Sequence, residues 1–484
     1  MRKYIAIIAV IMATGIAFGQ EGLPFYLKTA AENNPAVKAA FHTYKASLQK
    51  IPQAGAYEDP QMETGFFLEP MDIVGGRQIA QFQLMQMFPW FGTKKAARTE
   101  AQHMAKMAFE QFSEAKDNLF LEVYTQWYSL CEWQQKLINS KESRKLLLQL
   151  ETLALQRISS RSGSGITGNR QVISDSNPAT GNRQPTNGGM SGMNMGNALQ
   201  PVAGRQSPTS NDMNDMKSVS SSGMSEVLRI QLEIIELESN IESLFSEMIA
   251  KKARFNALLN LPAKNEIVVP DEILQISFAL DEKELIQTIA TQNPMLKMLS
   301  EEWLAYEAKA EMDRKMSYPM FGIGLQYMLI GKSETAGHQT MNDGATNNMN
   351  RMNGKDMVMP MVSISIPLYR NKYKALQREN EFLRQASKDK YTDTFNNLQA
   401  ELHQLKHQLE DAKRKITLYK KQTELALTTC DLAVQEFISG NNNLSDIIQI
   451  QRQLLEYQLK ESKAIAEYNT LVATIRKLAA QWEK

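Results

Sequence analysis

Methionine is the residue type in excess. The chain holds 27 of them among 484 residues, and their distribution is uneven. Met190, Met193, Met195, Met213, Met216 and Met224 lie in or beside a stretch rich in Gly, Ser, Asn, Gln and Thr. Met341, Met349, Met352, Met357, Met359 and Met361 lie in and just beyond a second loop, with His338 among them. Methionine usually fills irregular gaps in cores, but a Gly- and Asn-rich loop has no core to fill. Its thioether is a soft donor that selects Cu(I) and Ag(I), whereas zinc calls for Cys or His and magnesium or calcium for oxygen cages. Two explanations stand. One is transient capture of Cu(I) or Ag(I), with no resident cofactor; the other is drift of composition in unconstrained loops.

The other reactive residue types form no catalytic arrangement. His42, His103, His338, His403 and His407 are scattered and no Cys lies near a His, so no enzyme is expected. His403 and His407 are four apart on one helix face, a spacing that suits a metal, but two ligands without a third usually make only a polar face. Cys131 and Cys430 each fall in mid-helix, which implies free thiols and no disulfide framework. The net charge is +1 with no cluster of one sign. Nucleic acid is thereby excluded as a partner, because phosphate contacts need a basic patch.

The elements that carry these residues can be read from spacing. Between 371 and 482 there is no proline and one glycine, Gly440. Leu398, Leu402, Leu405, Leu409, Ala412 and Ile416 recur at alternating spacings of four and three, a coiled-coil seam. The spacing predicts a long helix over 371–439, a turn at 440–444 and a returning helix over 445–482. A helix of about 70 residues is on the order of 100 Å long, a strut rather than part of a globule.

The rest of the chain echoes this hairpin. Asn34-Pro35 parallels Asn293-Pro294, Pro60 parallels Pro319, and Gly65 parallels Gly324, each at an offset of 259. A duplication follows, with a first repeat over 20–260 and a second over 261–484. In the first, alternation predicts strands 61–69 and 78–88, a long helix 93–159 and a returning helix 225–260. In the second it predicts a helix 295–317 and strands 320–329 and 358–366. Residues 161–223 break the symmetry as a Met-bearing insert that cannot bury a core and is expected to be disordered. Met1-Arg2-Lys3 followed by a short apolar run and Ala17-Phe18-Gly19 reads as a signal peptide over 1–19.

Four strands with one apolar face each cannot close a barrel, whereas three copies would supply twelve. Tyr57, Trp90, Phe91, Tyr318 and Tyr369 sit beside the prolines at one end of the strands, where an interfacial girdle belongs. The expected fold is mostly α with a membrane β-barrel: long antiparallel coiled-coil helices plus four strands per protomer, trimerising into a 12-stranded barrel and a 12-helix tunnel. Met320, Met328, Met359 and Met361 would then line the interior.

At this point the chain resembles the TolC-like outer-membrane efflux channels, nearest to their heavy-metal members. The duplicated Asn-Pro start, Phe88-Pro89-Trp90-Phe91-Gly92, Ile366-Pro367-Leu368-Tyr369-Arg370 and the stretch Phe437-Ile438-Ser439-Gly440 with Leu444-Ser445-Asp446-Ile447-Ile448 carry the resemblance. It implies a homotrimer in the bacterial outer membrane, in contact with its lipid, its helical part in the periplasm. A periplasmic adaptor and an inner-membrane RND-type pump would be its partners in a tripartite efflux system. Asp446 matches the position where such proteins place a tip carboxylate, implying an anionic gate ring, with Glu226 equivalent in the first repeat. A helix-N-terminal Asp serving only the dipole is the competing reading. Two features depart from the pattern: the insert, and the lack of the lipidated Cys seen in several metal-efflux members. Drugs or organic solutes as cargo, and a non-conducting periplasmic coiled-coil protein, are the alternatives.

Overall fold

Helix breaks in this chain are made by asparagine followed by proline. In the computed structural model, which describes residues 22–73, 75–163, 215–279, 281–333, 353–439 and 443–482, helix α1 (Leu23–Asn33) is followed by Asn34 and then by α2 (Pro35–Gly55). Asn34 Oδ1 accepts from the amides of Ala36 and Val37, capping α2, while its own amide closes α1 on Ala30 O. The first strands, β1 (Gln61–Ile73) and β2 (Gly76–Phe88), lead into α3 (Thr93–Gly163), and α4 (Asp215–Leu258) completes the first repeat.

The second repeat reproduces these details. Helix α5 (Glu282–Gln292) meets α6 (Pro294–Met316) at Asn293, whose Oδ1 accepts from Met295 and Leu296. Strands β3 (Met320–Gly331) and β4 (Met357–Ser365) precede α7 (Arg370–Ser439) and α8 (Leu444–Leu478). Each capping Asn also donates through Nδ2, Asn34 to Leu258 O at the end of α4 and Asn293 to Leu478 O at the end of α8, both at 3.0 Å. Both returning helices end on a residue with positive φ, Asn260 at 55° and Ala480 at 50°. There the amides of Leu261 and Gln481 reach back to Asn256 O and Arg476 O, the Schellman pattern. The short helices thus abut the returning ones end to end.

The four strands form one antiparallel sheet in the order β1-β2-β3-β4, which leaves β1 and β4 as edges. Both prolines inside strands lie on those edges, Pro70 in β1 and Pro360 in β4, where a missing amide disturbs no inner ladder. The β1–β2 register shifts between Phe66 and Met71, the span that holds Pro70. That irregularity explains why β1 continues to Ile73 where alternation alone predicts an end at 69.

The chain divides into two compact units, each described by its own packing. The first comprises Met1–Gln135, Glu247–Thr417 and Ser462–Lys484, and holds the sheet. Its core centres on Tyr26, Trp127, Phe255, Leu130 and Leu259, with Tyr26 edge-on to Phe255 at 5.3 Å. The predicted seam is buried here: Leu402, Leu405, Leu409, Ala412 and Ile416 are all inaccessible. The second comprises Lys136–Ser246 and Leu418–Glu461, cored by Leu147, Leu150, Val227, Ile230, Ile234, Phe437, Leu444 and Ile447.

A further boundary read from the sequence differs in the structure, and two helices are added to it. The returning helix starts at Asp215, ten residues before Ser225, so 215–223 have helical backbone rather than belonging to a disordered insert. Beyond Pro208 no proline stops the helix from propagating toward its N-terminus. Helices α1 and α5 precede the Asn-Pro pairs and were not anticipated; each is only 11 residues long and ends on Asn rather than Gly. The leader at 1–19, residues 164–214 of the insert and residues 440–442 of the turn lie outside the described residues.

Candidate functional site

Pairing in the sheet sorts its side chains onto two unlike faces. One carries Met62, Phe66, Leu84, Ile323, Leu325, Val358, Val362 and Ile364, all exposed, Val362 at 78% and Phe66 at 71%. The opposite face is read row by row across the ladder. Met87, Gly322 and Ser363 share one row; Met85, Gly324 and Met361 the next; Glu63, Gln83, Gln326 and Met359 the third; Gly65, Gln81, Met328 and Met357 the fourth. Gln81 Oε1 accepts from both Gln78 and Gln326, so the face is polar and partly hydrogen-bonded within itself.

Aromatic rings gather where the strands meet the helices. Trp90 stacks on Tyr318 at 5.1 Å and on Phe321 at 5.9 Å, and Tyr57 meets Phe88 edge-on at 5.5 Å. Lys94 Nζ lies 4.3 Å above the Tyr57 ring. Phe91 and Tyr369 are each 82% exposed. These exposed rings adjoin the exposed apolar face of the sheet.

The tip carboxylates occupy matching places in the two repeats. Ser225-Glu226-Val227-Leu228-Arg229-Ile230-Gln231 aligns with Ser445-Asp446-Ile447-Ile448-Gln449-Ile450-Gln451 at an offset of 445 − 225 = 220. Val227 and Ile447 are buried at both places, and beside them Glu226 is half-buried and Asp446 exposed. The flanking groups tie α4 to α8 and α3 to α7. Arg229 donates to Ser445 Oγ at 2.9 Å, and Arg452 Nε donates to Glu233 Oε1 at 2.7 Å. Arg157 donates to Phe437 O and sits 4.7 Å over its ring.

The sequence-predicted sulfurs divide between these places. Met357 and Met359 are exposed and Met361 is half-buried on the polar sheet face, and Met224 is 52% exposed at the start of the described side chains of α4. Met190, Met193, Met195, Met213, His338, Met341, Met349 and Met352 lie outside the described residues, as does the side chain of Met216. Met85 and Met87 were missed by sequence reasoning, although Met85-Gln86-Met87 alternates as Met359-Pro360-Met361 does. Their Sδ atoms both lie within hydrogen-bond reach of Ser363 Oγ, at 3.4 and 3.5 Å, and share its one proton.

Among the described residues no three His, Cys, Asp or Glu groups converge as a metal site. His403 faces Glu282 at 3.6 Å, and His103 lies 2.6 Å from Glu301. Both cysteines are free and buried, and burial pushes the Cys131 thiol up to about 12. No described helix is long and apolar enough to cross a membrane.

No model of a protein family matches the chain, and no curated relative does either. Solved structures match along almost its whole length. The outer-membrane channel OprN aligns at 13% identity over 95% of this chain and 90% of its own, with a TM-score of 0.63. CusC, described in the course of transmembrane channel formation, gives 12%, 96%, 92% and 0.64. VceC, an outer membrane protein of Vibrio cholerae, gives 11%, 94%, 95% and 0.61. With four antiparallel strands joined to long helical hairpins, the chain shares the TolC-like fold of these outer-membrane channels.

Proposed function

We propose that three copies of this protein form an outer-membrane efflux channel, a 12-stranded barrel continued by a 12-helix tunnel. One observation carries the reading: an open four-stranded sheet that exposes an apolar face, keeps a polar face opposite and leaves both edges unpaired. A sheet of this kind is stable in lipid only when closed. The second unit adds unpartnered stripes. Leu228, Leu232 and Ile235 on α4 and, at heptad spacing, Leu418, Leu425 and Leu432 on α7 are exposed. Another copy of the chain is the partner such stripes fit.

In this reading Asp446, with Glu226 behind it, forms an anionic ring that favours cations at the tip. A periplasmic adaptor and an RND-type inner-membrane pump dock there. The cargo is Cu(I) or Ag(I), received by the insert methionines Met190, Met193, Met195, Met213, Met216 and Met224 and by His338, Met341, Met349 and Met352 at the loop. The methionines in Gly-, Ser- and Asn-rich sequence support that cargo.

The test starts with the full-length protein in detergent, which should run as a heat-modifiable trimer and conduct in planar bilayers. Asp446→Asn should lower its cation preference. Replacing the five insert residues Met190, Met193, Met195, Met213 and Met216 with Leu should lower copper and silver tolerance and leave the trimer intact. A protein that never conducts is a structural coiled coil. Unchanged tolerance would leave a channel for other solutes.

A further inference from the structure

The polar face of the sheet holds a trough that no reading of the loops anticipates. Gly322 and Gly324 form its floor on β3. Met87 and Ser363 flank Gly322 from β2 and β4, and Met85 and Met361 flank Gly324 in the same way. Without side chains on the floor, the neighbours lean over β3 and meet. Both Met85 Sδ and Met87 Sδ lie within 3.5 Å of the Ser363 hydroxyl, so the two sulfurs are at most 3.4 + 3.5 = 6.9 Å apart. The methyl groups of Met85 and Met361 lie 3.4 and 3.5 Å from where a Cβ on Gly324 would stand. A Cβ on Gly322 would come within 2.1 Å of Ser363 Oγ and 2.6 Å of Met87 Sδ, so an alanine there would push both side chains out of place.

We propose that Met85, Met87 and Met361 form a thioether site for a soft monovalent cation, Cu(I) or Ag(I), on the polar face of the sheet. This deepens the proposed function and rests on its soft-metal cargo. Methionine as apolar filler belongs on the other face, among Val, Ile and Phe. Here the sulfurs sit among Gly, Gln, Ser and further Met, and two of them lie within reach of one hydroxyl proton. Three neutral sulfurs suit a soft monovalent ion and are poor ligands for Zn(II) or Mg(II), which want Cys, His or oxygen. Each sulfur hangs on a flexible side chain, so the ion is held weakly enough to leave, as a conduit requires. Glu63, on the same face and in the row next to Met85, supplies nearby negative charge.

The experiment titrates Ag(I) into the full-length protein in chloride-free detergent solution, with methionine methyl groups labelled by carbon-13. The expected result is that the Met85, Met87 and Met361 resonances move together, and that Zn(II) moves none of them. The variant Met85→Leu, Met87→Leu, Met361→Leu keeps side-chain volume and should bind one silver ion fewer per protomer. Gly322→Ala should lose the same ion with every sulfur retained. Unmoved resonances, or a triple variant that binds as much silver as the original protein, would overturn the site. Loss of the ion with unchanged silver tolerance would leave the site standing and remove Cu(I)/Ag(I) as the cargo.

Discussion

Asp117 shows how a single residue sets a condition on this fold. Its carboxylate is 5% exposed and accepts from Trp482 Nε1 at 2.8 Å, and burial holds its pKa above the usual carboxylate range. Glu100, Glu110 and Asp313 are raised by burial in the same way. The sign is the reverse of an ion-paired carboxylate. The folded state holds the proton more tightly than the unfolded chain, so stability grows as pH falls through the raised pKa and is complete below the ordinary value of 3.8. Asp117→Asn keeps the oxygen that Trp482 needs and removes the charge. It should raise the urea midpoint at neutral pH and flatten its dependence between neutral pH and about pH 4, an effect of about 1.4 kcal/mol per unit of raised pKa. Glu282, Glu311 and Asp411 are shifted the other way by Lys and Arg partners, but they are only half-buried and solvent screens them. An unchanged slope in the variant would place the pH response elsewhere.

At the scale of elements, the Asn-Pro junction joins three helix ends at one residue, two through its side chain and one through its backbone amide. Asn293 accepts from two amides of α6 and donates to the last turn of α8, and its own amide closes α5 on Ile289 O. Asn293→Ala should therefore cost about 1–2 kcal/mol, at the upper end for a cap, because a carbonyl of α8 is orphaned as well. Asn34→Ala should cost a similar amount by the same geometry; a urea midpoint unmoved by either change would refute this role for the junction. The repeat that exposes this device was legible in the sequence, since Asn-Pro, the strand prolines and the glycines kept one offset. So was the seam from Leu398 to Ile416, because a helical period repeats locally. Helices α1 and α5 were not legible: they are short, and tertiary contacts at Tyr26 and Ile289, rather than a long periodic run, hold them. Asp281, which caps α5 by accepting from Lys283 and Glu284, was the signal available. The thioether trough was hidden for another reason. It depends on cross-strand register among β2, β3 and β4, and register cannot be read from one strand at a time.

For the whole molecule, exposure decides which contacts belong to the protomer and which to its assembly. Leu402 is 1% exposed, so Leu402→Ala should destabilise the protomer itself by about 2–5 kcal/mol. Leu425 and Leu432 are 68% and 56% exposed. In the proposed trimer, changing both to Glu should leave the circular dichroism of the protein unaltered while removing the trimer band from unheated gels. Trimers that survive the double change would show that this stripe does not face a neighbouring copy.

The two bare sheet edges also set an order of events in the life of the chain. Strands β1 and β4 each present a row of unpaired amides and carbonyls, a template on which any extended peptide can grow. Pro70 and Pro360 interrupt those rows, as do the charges of Glu63, Glu69 and Asp72 along β1, which blunts the edges without closing them. A copy that completes its sheet while still alone is therefore a seed for aggregation. If three copies close the barrel as proposed, completion of the sheet belongs at the end of the chain's journey, when other copies and lipid are both at hand.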